Sequence, residues 1–149
     1  MIRFMNFLTM FFLSFSHAIV ICPLIILGYI GVSRRIFTHA LCLLALSILF
    51  NIILKHTFQI PLSPTLGKEG FAFPSGHMQA VTVLYGWLAL NIKYVCFRLS
   101  IIIILLGVGL SLVDAGYHNY YDVFGGLFFG MLVVLLYHVL LLKLSKQRA

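Results

Sequence analysis

Apolar residues in this chain fall in long runs separated by short polar interruptions. A helix that crosses a bilayer needs about 20 mainly apolar residues, and five segments approach that length. They run from Phe4 to Ile30, Ile36 to Leu54, Ser75 to Asn91, Phe97 to Val113 and Tyr120 to Leu142. The first is too long for the apolar core of a signal peptide and reads as a span. Pro23 lies inside it and predicts a kink, which membrane helices tolerate when neighbouring groups re-satisfy the backbone. The longest interruption, Lys55 to Pro74, carries Pro61, Pro64 and Gly67 and reads as a loop. Ser75, directly after it, is suited to cap the helix that follows. The second polar patch is the connection from Ser111 to Asp122. With no internal repeat, low-complexity stretch or long linker, residues 1–149 read as a single domain. The expected fold class is all-α, a transmembrane helical bundle of about five spans.

Composition supports that reading. Of the 149 residues, 62% are hydrophobic and 9% charged, against about a quarter charged in soluble domains. Such a chain cannot build a polar shell, so the bilayer is its natural solvent. A net charge of +7 would suggest nucleic acid for a soluble protein; here no nucleic-acid partner is expected, and the charge belongs to a membrane face. Five spans place Arg3, Lys55 and Lys68 on one side. Arg34, Arg35, Lys93, Arg98, Lys143, Lys146 and Arg148 lie on the other. The positive-inside rule then sets the C-terminus in the cytoplasm and both polar patches on the opposite face. Cys22, Cys42 and Cys96 show no metal-like spacing and read as buried or lipid-facing residues.

The two patches hold the residues capable of chemistry. One reads Phe73-Pro74-Ser75-Gly76-His77, and the other runs from Ser111 through Gly116 and His118 to Asp122. Ionisable groups at membrane depth are costly, so their default reading is functional. His118 and Asp122 are four residues apart, on one face if a helix begins there. A carboxylate on one imidazole nitrogen fixes the tautomer and frees the other as nucleophile or base. His77, from another span, can supply a proton. Ser75 and Gly76 at a helix start offer N–H groups and a positive dipole end to an anion, and Lys55 adds a full charge. Taken singly, each histidine reads more readily as an interfacial residue, and His17, His39, His56 and His138 keep that reading. Tyr117, Tyr120 and Tyr121 read as an interfacial aromatic belt, Ser111 and Gly116 as small packing residues and Asp114 as a solvated loop charge. The combination is harder to dismiss: average residue usage yields Pro-Ser-Gly-His in a chain this long on the order of once per thousand.

Pro74-Ser75-Gly76-His77 resembles the second signature of the PAP2 (type 2 phosphatidic acid phosphatase) superfamily. Ser111, His118 and Asp122 match the spacing of its third signature, S-R-x5-H-x3-D, and Gly125-Gly126 follow. Its first signature, K-x6-R-P, is matched at Lys55. The resemblance covers about residues 54 to 126 and implies a PAP2-like core. By that resemblance, His118 attacks phosphorus to form a phosphohistidine, Asp122 orients it and His77 protonates the leaving alcohol. Lys55, Ser75, Gly76 and Ser111 belong to the phosphate-holding set. No metal or other cofactor is implied. The implied substrate is a membrane lipid phosphate or an isoprenoid diphosphate, hydrolysed at the periplasmic face of a bacterial inner membrane.

The chain also departs from the pattern. Leu112 stands where the third signature has arginine, and Leu62 and Ser63 where the first has arginine and proline. Arginine forks clamp phosphate bidentately, and Lys68 and His56 are the expected substitutes. The chain has one span fewer than the family's six-helix core, with the missing one expected at the N-terminus. Three alternatives follow: phosphoryl transfer to a second lipid, a PAP2-like headgroup- or partner-binding protein without turnover, and a divalent-metal site built from His77, His118 and Asp122.

Overall fold

The computed structural model describes residues 7–62 and 70–147. Six helices lie among them: α1 (Phe7–Ser14), α2 (Ala18–Gly31), α3 (Arg34–Phe58), α4 (Gly76–Asn91), α5 (Val95–Asp114) and α6 (Tyr120–Lys146). A bridge between Pro61 and Phe71 closes the loop after α3. The all-helical expectation holds, and α3, α5 and α6 are long and apolar enough to cross a membrane.

The first apolar run differs from expectation. It breaks into α1 and α2, bent by 44°, and Pro23 lies within α2. The break falls at Phe15–His17, where serine hydroxyls compete for helix carbonyls. Ser14 Oγ donates to Phe11 O at 2.6 Å and Ser16 Oγ to Leu13 O at 2.7 Å. The backbone tightens into three-residue bonds from Phe15, Ser16 and His17, and His17 takes the extended conformation that starts α2. The apolar run thus supplies two helices, which is why six stand where five spans were expected.

Helix α4 is the centre of the bundle. Its 16 residues extend only about 24 Å, short of the roughly 30 Å hydrocarbon core. Val81, Val83, Leu84 and Leu88 are buried, together with Ala40 and Leu43 of α3 and Val108 and Leu112 of α5. The outer faces carry exposed Leu27, Ile53, Ile103, Leu106, Phe124 and Leu136. Apolar side chains both inside and outside are the pattern of a helix bundle solvated by lipid. Cys22, Cys42 and Cys96 are free and exposed on this outer surface, the lipid-facing half of their expected reading.

Glycines on α6 let α4 pack at close range. A side chain at Gly126 would meet Ser75 O at 2.6 Å and Met78 Cβ at 2.9 Å, and one at Gly130 would meet Thr82 Cβ at 2.8 Å. The Phe73 ring covers Gly125. Small residues that admit a neighbouring backbone are a standard solution for membrane helix pairs.

Candidate active site

Three local structures bring the candidate residues together. Ser75 is the N-cap of α4, its hydroxyl accepting from Met78 N, and its own N–H donates to Asp122 O at 2.9 Å. That bond ties the start of α4 to the start of α6. Asn51 Nδ2 donates to Pro74 O at 3.3 Å and to Gln79 Oε1 at 2.9 Å, while Gln79 Nε2 donates to Ser47 O and Oγ. This buried network pins the same turn to α3. Its members satisfy one another, as buried amides must.

Asn119 caps α6 in a reciprocal box with Asp122. Asp122 N donates to Asn119 Oδ1 at 2.9 Å, and Asn119 N donates to Asp122 Oδ2 at 3.1 Å. His118 therefore precedes the helix rather than sharing its face with Asp122, a correction to the simple four-residue argument. The two still meet: His118 Nδ1 lies 3.5 Å from Asp122 Oδ2, with the side chains 8% and 3% exposed. That separation exceeds a good hydrogen bond, and His118 Nδ1 is a buried nitrogen with no bonded partner among the described residues. Gly116, at φ +75°, makes the left-handed turn that returns the chain from α5 to this position.

His77 and His118 line a cavity of about 410 Å³ with His17, Ser16, Leu13, Leu62, Leu112 and Tyr117. The rings of His17 and His77 are 6.1 Å apart, edge to face. Burial pushes the His118 imidazole below its ordinary pKa of 6.5; the Asp122 carboxylate opposes this, and the charges of Lys55 and His77 reinforce it. Lys55 lies in the last turn of α3, within the helix and not in the expected loop, and its ammonium donates to Phe71 O at 2.8 Å.

The other expected residues fall as follows. Ser75 is wholly buried, its hydroxyl committed to the cap. Gly76 opens α4, where first-turn N–H groups lack intrahelical acceptors. Ser111 is buried in α5 and lies outside the cavity's described lining. Lys68 and Ser63 lie outside the described residues. His56 is exposed and packs edge-on against Phe71 at 5.6 Å, away from the cavity lining. Asp114 is more than a solvated charge, because Thr9 Oγ1 donates to it at 2.7 Å across α1 and α5. Among the described residues no group of three His, Cys, Asp or Glu side chains is arranged to hold a metal.

Sequence reasoning missed His17. Its signal was present: an imidazole in the middle of an apolar run is costly without a purpose. What could not be read was the bend that carries it beside His77. Leu62 and Leu112, the two positions without the expected arginines, both face this cavity.

The family model described as the PAP2 superfamily matches residues 36–146. No curated protein matches the sequence. Two solved structures share the fold. LpxE from Aquifex aeolicus has a TM-score of 0.74 at 21% identity, over 87% of this chain and 84% of that one. A transmembrane PAP2-type phosphatidylglycerolphosphate phosphatase from Bacillus subtilis has a TM-score of 0.76 at 22% identity, over 95% and 78%.

Proposed function

The chain belongs to the PAP2 superfamily, and we propose that it removes phosphate from a membrane lipid phosphate or diphosphate through a phosphohistidine on His118. The carrying observation is the single cavity shared by His77 and His118, with Asp122 behind His118. Asp122 faces Nδ1, which leaves Nε2 to attack phosphorus. As the new N–P bond forms, the P–O bond to the lipid breaks and His77 gives its proton to the departing oxygen. Water then attacks phosphorus while His77 takes a proton from it; the N–P bond breaks, its electron pair returns to His118 Nε2, and inorganic phosphate leaves. The contact at Nδ1 closes from 3.5 Å as His118 gains positive charge, since catalytic hydrogen bonds often tighten only in the reacting complex.

Lys55, Ser75, Gly76, Ser111 and Lys68 remain in the proposed phosphate-holding set. Lys55 contributes charge, Gly76 a helix-start N–H, Ser75 the cap that aims it and Ser111 a supporting position in α5. His17 joins them, since its imidazole occupies the wall shared with Leu62 and Leu112. An apolar groove of about 300 Å³ between α5 and α6, lined by Met78, Tyr120 and Leu106 among others, begins one residue from His77 and suits the lipid tail. The site is proposed to face the periplasm of a bacterial inner membrane, with the C-terminus cytoplasmic. The wall composition also favours a second reading, a headgroup-binding protein without turnover, because Leu62 and Leu112 supply no charge.

The deciding experiment is phosphate release from a panel of lipid phosphates and diphosphates by purified protein. Release by the wild type that is lost in His118→Ala and His77→Ala supports the enzyme. No release above the His118→Ala background on any substrate would leave the binding reading. Product analysis with an added acceptor lipid separates hydrolysis from transfer.

A further inference from the structure

A second polar cavity lies at the opposite end of the bundle. It encloses about 380 Å³ between Arg35 and His39 of α3, Trp87 and Asn91 of α4, and His138 and Ser145 of α6. On α3, Arg35 and Lys55 are separated by about 30 Å of helix, so this cavity is distinct from the one lined by His77 and His118. It exists because α4 stops early. Trp87 packs against His138 at 6.3 Å, and α4 ends at Asn91. Beyond His138, α6 runs about 12 Å further, to Lys146.

The walls are built. Trp87 Nε1 donates to Ile36 O at 2.9 Å, locking α4 to the start of α3. His39 Nδ1 and Tyr137 OH share a hydrogen bond at 2.7 Å, which orients the His39 ring, and Trp87 meets that ring at 5.7 Å. Two neighbouring guanidinium groups are engaged elsewhere. The Arg34 guanidinium sits 6.0 Å from the Tyr29 ring centre, and Arg98 Nε donates to Ala89 O and Ile92 O. Arg35 is the cavity's own guanidinium.

Among the described residues, the charge around it lacks a counterpart at this end. Arg34, Arg35, Lys93, Arg98, Lys143 and Lys146 belong to it, whereas Asp114 and Asp122 lie toward the other. A membrane supplies the missing anion as lipid phosphate, and basic pockets between spanning helices bind such headgroups. Ile36, Leu141 and Leu142 complete the lining and suit the glycerol and upper acyl carbons. Since among the described residues no carboxylate lines this cavity to orient either imidazole, the pocket suits retention and not turnover.

We propose that this cavity is a second, non-catalytic site for an anionic phospholipid headgroup, held by Arg35 with His39, Asn91, His138 and Ser145 around it. The test is lipid retention by purified full-length protein, measured by native mass spectrometry while phosphatidylglycerol or phosphatidylcholine is titrated in. Wild type should retain phosphatidylglycerol in preference to phosphatidylcholine. Arg35→Gln should weaken retention by about tenfold or more, as expected for loss of a charged hydrogen-bonding partner. Lys93→Gln, at the same end but outside the cavity lining, should retain lipid as the wild type does. His77→Ala/His118→Ala should also retain it. Ser145→Phe fills the cavity from the exposed end of α6 and should abolish retention even if Arg35→Gln folds poorly. Unchanged retention in Ser145→Phe, an equal loss in Lys93→Gln, or loss in the double histidine variant would overturn the proposal. Displacement of the lipid by glycerol 1-phosphate at equal concentration would assign the pocket to a free phosphate compound and overturn the lipid assignment.

Discussion

At the residue scale, the proposed attack by His118 sets two opposed demands: the ring would have to stay neutral, yet it sits beside a carboxylate that favours its cation. Burial is the largest influence and lowers its pKa from 6.5. A group with a lowered pKa keeps its neutral form further into acid, so the acidic limb of kcat/KM should fall below pH 6.5. Asp122→Asn removes the charge that favours the cation, so the limb should move still further into acid. The maximum rate should drop about 10²- to 10⁴-fold, because the ring loses its orienting acceptor. A pH–rate profile checks both signs, and an acidic limb above 6.5 would contradict the assignment of nucleophile. Leu62 offers the converse test. It faces the cavity where the family signature has arginine, so Leu62→Arg should raise kcat/KM about tenfold or more. An unchanged rate in a folded Leu62→Arg protein would show that the guanidinium has no phosphate to meet there.

At the element scale the site depends on how closely α4 approaches α6. A methyl group at Gly126 would meet the Ser75 carbonyl, which is backbone and cannot swing aside. Gly126→Ala should therefore destabilise by about 1–3 kcal/mol and displace the turn carrying His77. Thermal unfolding in detergent reads the first effect and phosphate release the second; loss of activity should exceed that of Gly31→Ala, where a side chain meets nothing. Much of this layer was legible in advance. Apolar run lengths located α3, α5 and α6 with ends no more than four residues off, and Ser75 was read as a cap. The bend at Phe15–His17 was not legible, because proline is the louder signal and two serine-to-carbonyl bonds decided the matter. The Asn119 box had a readable pattern, Asn followed three residues later by Asp, but the i to i+4 spacing of His118 and Asp122 drew attention first. Motif spacing singled out His77, His118 and Asp122, and the fold places the two histidines on one cavity with Asp122 behind His118. His17 was invisible to spacing because only the bent first run brings it near.

Across the whole molecule, the two cavities and the charge distribution share one axis. Among the described residues, Asp114, Asp122 and the histidine cavity gather at one end, while Arg34, Arg35, Lys93, Arg98, Lys143 and Lys146 gather at the other. Basic residues resist translocation, so in the proposed orientation this asymmetry would set which leaflet each cavity meets. A reporter fused to the C-terminus tests this directly. A fluorescent protein that matures in the cytoplasm should light up there, and alkaline phosphatase, which needs the oxidising outer compartment, should stay inactive. The converse pair, inserted in the loop between α3 and α4, should give the opposite readings. If the C-terminal reporter is active outside, the histidine cavity faces the cytoplasm and must draw on substrates of that leaflet. Exchanging Arg34 and Arg35 for glutamine and adding lysines beside Gly116 weakens the charge bias from both ends. Inverted insertion of that variant would show that charge, rather than the apolar runs common to both orientations, chooses the side on which this site works.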